Sequence, residues 1–251
     1  MDEKRAEWQS RMDQLAVAAF REFCVSADDV LRIAAFEQRT EAWLAARKWR
    51  LTGSNFAAAA GHNPYQSPEG LIREMMWGTF EGNEATAWGN QHEDTACAMY
   101  EAYMRQKYPD FMVHHSGLQV IPDFPFIGVS PDGLCSYWDE EASVRVHFLL
   151  EIKCPFRWKS DCFYFGHVPI YYWDQIQGIM GFLGLQFCDF VVWTPAGMEI
   201  NRVRFDQDYF QTILRPALLE WYTGQFYPTL CGWREGKIEP PNLTETLVVT
   251  L

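Results

Sequence analysis

Ser130-Pro131-Asp132-Gly133, followed by Leu134, Tyr137, the acidic turn Asp139-Glu140-Glu141 and a run over 144–152 that leads into Glu151-Ile152-Lys153, decides how this chain folds. Apolar runs on either side of a polar turn predict an antiparallel hairpin. With the turn centred near Glu141, Asp132 falls opposite Glu151. Side chains alternate along a strand, so Glu151 and Lys153 share one face while Ile152 points the other way, towards a core. Asp132, Glu151 and Lys153 then converge.

Two carboxylates a few ångströms apart repel each other, and a divalent cation that both can ligate usually reconciles them. Magnesium suits such oxygen ligands. A neighbouring ammonium group does not ligate the cation, but it can hold or help deprotonate an attacking water and stabilise charge on a phosphoryl oxygen. Either fragment alone reads as a surface hairpin with an ordinary Glu-Lys pair and an SPDG turn. Together they favour a metal-dependent phosphodiesterase centre.

At 251 residues and 48% hydrophobic, the chain has material for a substantial core and no composition break that demands more than one compact domain. The expected organisation is a helical appendage over 1–36, a nuclease-type domain over 37–230 and a tail over 231–251. Aromatic residues, 16% of the chain, default to the core, a base-stacking surface being the alternative for some of the rings. The net charge of -12 argues against a uniformly basic DNA-coating protein and against an anionic membrane surface as partner. It leaves room for a nuclease, whose metal-binding carboxylates add negative charge while a local basic groove holds the phosphates. Cysteines at 24, 97, 135, 154, 162, 188 and 231 are odd in number and form no CxxC pair, so neither a disulfide framework nor a zinc ribbon is expected. The charged start Met1-Asp2-Glu3-Lys4-Arg5 lacks an apolar leader core, and no apolar run has membrane-spanning length; a soluble intracellular protein is expected.

Apolar spacing predicts helices over 3–23 (Trp8, Met12, Leu15, Ala19, Phe23), from Ser26, over 41–49, from an N-capping Thr52 through Ala60, from Ser67-Pro68 to 76, and over 85–108, the last carrying Glu93. Strands are expected over 112–121 and 126–129, then the hairpin, a helix over 170–183, strands over 187–193 and 199–205, and a closing helix over 209–222. This order predicts an α/β fold with a central mixed sheet flanked by helices. His114-His115 lacks a companion at metal spacing and reads as structural, as does His92. No P-loop, GxSxG or GxGxxG motif is present, which removes ATP-driven, serine-hydrolase and dinucleotide chemistries.

Several ordered blocks resemble the lambda-type alkaline exonucleases and YqaJ-like viral recombinases of the PD-(D/E)xK nuclease superfamily: Glu41-Ala42-Trp43-Leu44-Ala45-Ala46-Arg47, Leu51-Thr52-Gly53-Ser54, Asn63-Pro64-Tyr65, Trp88-Gly89-Asn90-Gln91-His92-Glu93, the two hairpin motifs with Cys154-Pro155, and Tyr172 with Gln175-Ile176-Gln177. The resemblance spans roughly residues 38–227. It implies that Glu93, Asp132, Glu151 and the backbone carbonyl of Ile152 ligate metal, that Lys153 positions the water, and that Tyr172 and Gln175 overlook the scissile phosphate. Positions i and i+3 share a helix face, so that last pairing is physically sound; a partly exposed helix surface is the bland alternative. Arg47, Thr52 and Ser54 match positions that bind the 5′-phosphate of the digested strand, and an arginine, two hydroxyls and free N-H groups at a helix start suit a terminal phosphate. Gly61-His62-Asn63-Pro64-Tyr65 departs from the phage lambda pattern and follows the YqaJ-like one. Arg157 and Lys159 are candidates for backbone contacts with DNA, or solvated loop charges.

The expected function is therefore a Mg²⁺-dependent 5′→3′ exodeoxyribonuclease acting on duplex ends, with two Mg²⁺ ions for which Mn²⁺ can substitute. Its product would be 5′-mononucleotides and a 3′ single strand for recombination or repair. A homotrimer, a single-strand annealing partner and, in an infected host, a viral replication compartment are implied by the resemblance alone. An endonuclease of the same superfamily and a non-catalytic DNA-end-binding protein are the alternatives; the iron-sulfur CRISPR-adaptation branch is disfavoured by the scattered cysteines, and four intact polar motif residues speak against a pure binding module.

Overall fold

The computed structural model describes residues 2–78, 82–156 and 167–240. Helix α1 (Asp2–Phe23) delivers Ala19 and Phe23 to the main core and pairs Glu22 with Arg234 at 2.7 Å. The side chains of Trp8 and Met12, part of the predicted apolar face, lie outside the described residues. Helix α2 (Ala27–Ala34) begins where expected, the Ser26 hydroxyl accepting the Asp29 N-H at 3.1 Å. Helix α3 (Glu41–Arg47) stops two residues before the expected end, because Trp49 turns to φ 62°, outside the helical region. Strand β1 (Leu51–Thr52), a 3₁₀ turn (Gly53–Asn55) and helix α4 (Phe56–Ala59) follow. Thr52 has the backbone of an N-cap but makes no capping bond; its hydroxyl accepts from Arg47 instead, which corrects the capping role read from sequence. Ser67 caps α5 (Pro68–Trp77), and Asn83 caps α6 (Glu84–Lys107).

The strands are β2 (Met112–His114), β3 (Gln119–Ile121), β4 (Phe124–Val129), β5 (Gly133–Asp139) and β6 (Val144–Lys153); then helix α7 (Ile170–Leu183) precedes β7 (Phe187–Thr194) and β8 (Gly197–Arg204). The single strand expected over 112–121 is two strands in two sheets. Gly117 causes the break: its N-H donates to the Ala34 carbonyl at 2.7 Å, and a side chain there would sit 2.3 Å from the Phe36 carbonyl oxygen. The central sheet is mixed, ordered β2-β5-β6-β7-β8 with only β6 and β7 parallel, and a second, three-stranded sheet is ordered β1-β4-β3. A parallel pair needs a long crossover, and α7 lies within it.

The second half of β6, Phe148 to Ile152, is buried on both faces, and its alternation sorts two cores. Phe148, Leu150 and Ile152 pack with Ala96, Cys97, Tyr100 and Met104 of α6, whereas Leu149 faces Ile176, Ile179 and Met180 of α7. Each such fully buried aliphatic side chain contributes about 1.5–3 kcal/mol relative to exposure, enough to fix the register against a one-residue slip. Close approach of α4 to α7 depends on Gly178, where a Cβ would meet the Phe56 ring at 2.3 Å. The closing helix is longer than predicted: α8 (Gln207–Tyr209), α9 (Arg215–Trp221) and α10 (Tyr227–Arg234) are joined by π turns at Phe210–Leu214 and Tyr222–Phe226. Pro216 and Pro228 fall in the first turn after each π turn, where a missing N-H is tolerated. Residues 231–234, assigned to a tail, are thus helical. Among the described residues no helix is long and apolar enough to cross a membrane.

Candidate active site

Strands β5 and β6 pair with Gly133 opposite Leu150 and Asp139 opposite Val144, so continuing the register sets Asp132 against Glu151. Asp132 Oδ2 accepts the Ile152 N-H at 2.7 Å, while the Ile152 side chain turns into the α6 core. On the opposite face Lys153 Nζ lies 2.6 Å from Glu151 Oε1. The turn before β5 is held from a distance: Gln38 Nε2 donates to the carbonyls of Ser116 and Pro131 at 2.9 and 3.1 Å, and Trp43 Nε1 donates to Ser130 Oγ at 3.1 Å.

Two helices complete the cluster. From α7, Gln175 Nε2 donates to Glu151 Oε1, and the Tyr172 ring lies 5.1 Å from the Lys153 ammonium. From α6, Glu93 pairs with Arg39 at 2.6 Å. Burial, then repulsion from Asp132, pushes the Glu93 carboxyl up to about 7 and that of Glu151 up to about 8. Burial also raises Asp132, opposed by Lys153 and the Ile152 N-H. Burial works against the charge of Lys153, but Glu151 and Asp132 outweigh it and hold the ammonium protonated. Three carboxylates thus crowd a site whose nearest positive charges are one lysine and Arg39. Among the described residues no three His, Cys, Asp or Glu side chains stand together as a ready-made metal cage. Glu93 is drawn to Arg39 and Glu151 to Lys153.

Two members of the second cluster predicted from sequence, Arg47 and Ser54, open into the same space, whereas Thr52, 3% exposed, lines a separate cleft with Arg47 and Lys48. Arg47 lies 4.1 Å over the Trp43 ring, and its Nη2 donates to Thr52 Oγ1 at 3.3 Å. It has no carboxylate partner among the described residues, and burial lowers its pKa to about 10. Arg47 and Ser54 line one cavity of about 180 Å³ with Asp132, Glu151, Lys153 and Gln175. A neighbouring cleft of about 230 Å³ approaches Lys153 from the side of Glu93 and Tyr172. A groove of about 1270 Å³ along β8 contains none of the predicted site residues.

Arg157 and Lys159 lie outside the described residues, as does Cys162. His114 Nε2 meets Ser136 Oγ at 3.2 Å, and His92 packs between Trp88 and Trp193 at 3.9 and 5.1 Å, both structural settings. Sequence reading missed Gln38, Arg39 and the function of Trp43 as a hydrogen-bond donor. Their partners lie 54 to 93 residues away, and the only local sign is the positive φ of Arg39, which sequence does not show.

Comparisons with known proteins follow this geometry. A protein of African swine fever virus is 30% identical over 161 residues, covering 56% of this chain and 45% of that protein. An uncharacterized protein of Acanthamoeba polyphaga mimivirus is 27% identical over 172 residues, covering 65% of this chain and 30% of that protein. The chain spans less than half the length of these curated relatives. Among solved structures, the alkaline exonuclease LHK-Exo from Laribacter hongkongensis superposes with a TM-score of 0.63 at 25% identity, covering 78% of this chain and 97% of that one, which places the α/β architecture in the PD-(D/E)xK-like fold. A family model described as the YqaJ-like viral recombinase domain matches residues 42–186, a span that holds the hairpin, Glu93 and α7, and the chain belongs to that family.

Proposed function

We propose that the chain is a Mg²⁺-dependent 5′→3′ exodeoxyribonuclease that degrades one strand of duplex DNA from its end. The observation that carries the reading is the shared cavity: an arginine without a carboxylate partner and an exposed hydroxyl open onto the same space as Asp132, Glu151 and Lys153. In hydrolysis, water attacks phosphorus and the P–O3′ bond breaks, releasing a nucleotide that keeps its 5′-phosphate. The shortened strand again begins with a 5′-phosphate. A pocket built on Arg47 and Ser54, with the Thr52 hydroxyl bracing the Arg47 guanidinium, would receive it, so docking itself would set the polarity.

The residues suit a divalent cation. Glu151 Oε2 is buried without a hydrogen-bond partner, beside an Asp132 whose repulsion already raises its pKa. Glu93, Asp132, Glu151 and the carbonyl of Ile152 would hold the ion, which when bound supplies Lewis-acid polarisation of the phosphate and acidifies water. Lys153, held as an ammonium, positions the attacking water and stabilises the negative charge it develops, and Gln175 orients Glu151. Tyr172 packs against Lys153 and faces the phosphate. Two ions, Mn²⁺ as a substitute, a trimer and an annealing partner extend this reading through family resemblance. Residues 1–36 would form an appendage to the nuclease domain, and Arg157 and Lys159, just after the strand that carries Lys153, would contact the DNA backbone.

Digestion of a linear duplex labelled at its 5′ or 3′ end, with and without Mg²⁺, tests it. The 5′ label should leave first as a mononucleotide, only with metal present, and a covalently closed circle should survive. Rapid nicking of the circle would instead establish the endonuclease alternative.

A further inference from the structure

Tyr65 is 82% exposed, more than any other large hydrophobic side chain among the described residues, yet it is not loosely held. Its N-H donates to Asn63 Oδ1 at 2.9 Å, closing the turn that follows α4. Its ring stands edge-on to Tyr171 at 5.6 Å. The same loop is clipped to the same face of α7 by a second contact: His62 Nδ1 lies 2.8 Å from the fully buried Asp174, three residues after Tyr171. Tyr171 in turn touches Tyr172 at 4.5 Å, and Tyr172 lies over Lys153. A file of three rings thus runs from solvent to the catalytic lysine.

A tyrosine fixed in place but left uncovered has apolar area to offer and little conformational entropy to lose on contact. Nucleobases stack on such rings regardless of sequence, and the innermost ring of the file, Tyr172, lines the cleft that reaches Lys153. Resting on the nuclease reading above, we propose that Tyr65 and Tyr171 form a platform on which unpaired nucleobases of the strand entering the centre stack.

The test compares two 5′-phosphorylated duplexes, one whose phosphorylated strand ends in two mismatched nucleotides and one with abasic residues at those two positions. Binding to the full chain is followed by fluorescence anisotropy in EDTA, so that no strand is cut. The natural chain should bind the base-bearing end about tenfold more tightly than the abasic one. Tyr65→Ala should abolish that difference and Tyr65→Trp should keep it. Equal affinity of the natural chain for the two ends, full discrimination by Tyr65→Ala, or no binding at all would overturn the platform. Digestion assays report separately: absent hydrolysis with base discrimination intact would remove the nuclease reading and leave the platform standing, and hydrolysis without discrimination would remove the platform alone.

Discussion

Asp189 and Glu151 are buried carboxylates on adjacent strands, one pairing apart and each 1% exposed, yet they are treated in opposite ways. On the α6 side, Asp189 receives Arg202 through Nε and Nη2 at 2.7 and 2.9 Å and the Tyr100 hydroxyl at 2.6 Å. Both of its oxygens are satisfied, and the Arg202 guanidinium itself packs on the stacked pair Phe148 and Phe187. On the α7 side, Glu151 concentrates Lys153 and Gln175 on one oxygen and leaves the other bare. A saturated carboxylate binds the fold together; an unsaturated one keeps a lone-pair site uncommitted.

The comparison breaks most sharply on activity. Asp132→Asn and Lys153→Ala should each lower the rate of end digestion about 10³-fold or more while circular dichroism stays that of the natural chain. Appreciable Mg²⁺-dependent digestion by either purified variant would show that the chemistry lies elsewhere. The second break is on stability. Asp189→Asn should cost about 2 kcal/mol, roughly 4–8 °C in Tm for a chain of this size, because a bidentate ion pair and a buried tyrosine hydroxyl lose their acceptor. Glu151→Gln relieves the repulsion between Glu151 and Asp132 and should leave Tm unchanged or raise it. Mg²⁺ at ten times its Kd should stabilise the natural chain by about 1.4 kcal/mol and fail to stabilise Glu151→Gln, as read in thermal melts. Equal melting behaviour of the two variants would erase the distinction between the sites.

The functional half of this contrast was legible in sequence and the structural half was not, for a physical reason. Hairpin register follows from a local turn and an alternating pattern, so Asp132 opposite Glu151 and Ile152 on the far face could be placed from residue numbers. Helix α7 was equally local, with its 170–183 span marked by apolar spacing. The Asp189–Arg202–Tyr100 network joins three elements, with Tyr100 and Asp189 89 residues apart, and Arg39 meets Glu93 across 54; no periodicity announces such meetings. The split of 112–121 into two strands depended on how close α2 comes to Gly117, a tertiary fact. Thr52 was given a capping role on local grounds and lost it to Arg47, a neighbour five residues back whose reach depends on the turn between them.

That last contact supplies the smallest effects and the finest test of the pocket. Arg47→Ala should reduce the preference for a 5′-phosphorylated over a 5′-hydroxyl end about tenfold, the scale of a charge-assisted hydrogen bond. Thr52→Val should reduce it by only about threefold. The 3.3 Å bond from Arg47 Nη2 is long, and the guanidinium is also held by its stacking on Trp43, so losing the hydroxyl loosens the cation without displacing it. Competition between the two end types in one digestion measures both ratios. If Thr52→Val proved as damaging as Arg47→Ala, the hydroxyl would be touching the phosphate itself, and Thr52 would belong to the ligand shell; if neither ratio moved, the cavity shared with Glu151 would have no part in choosing the strand end.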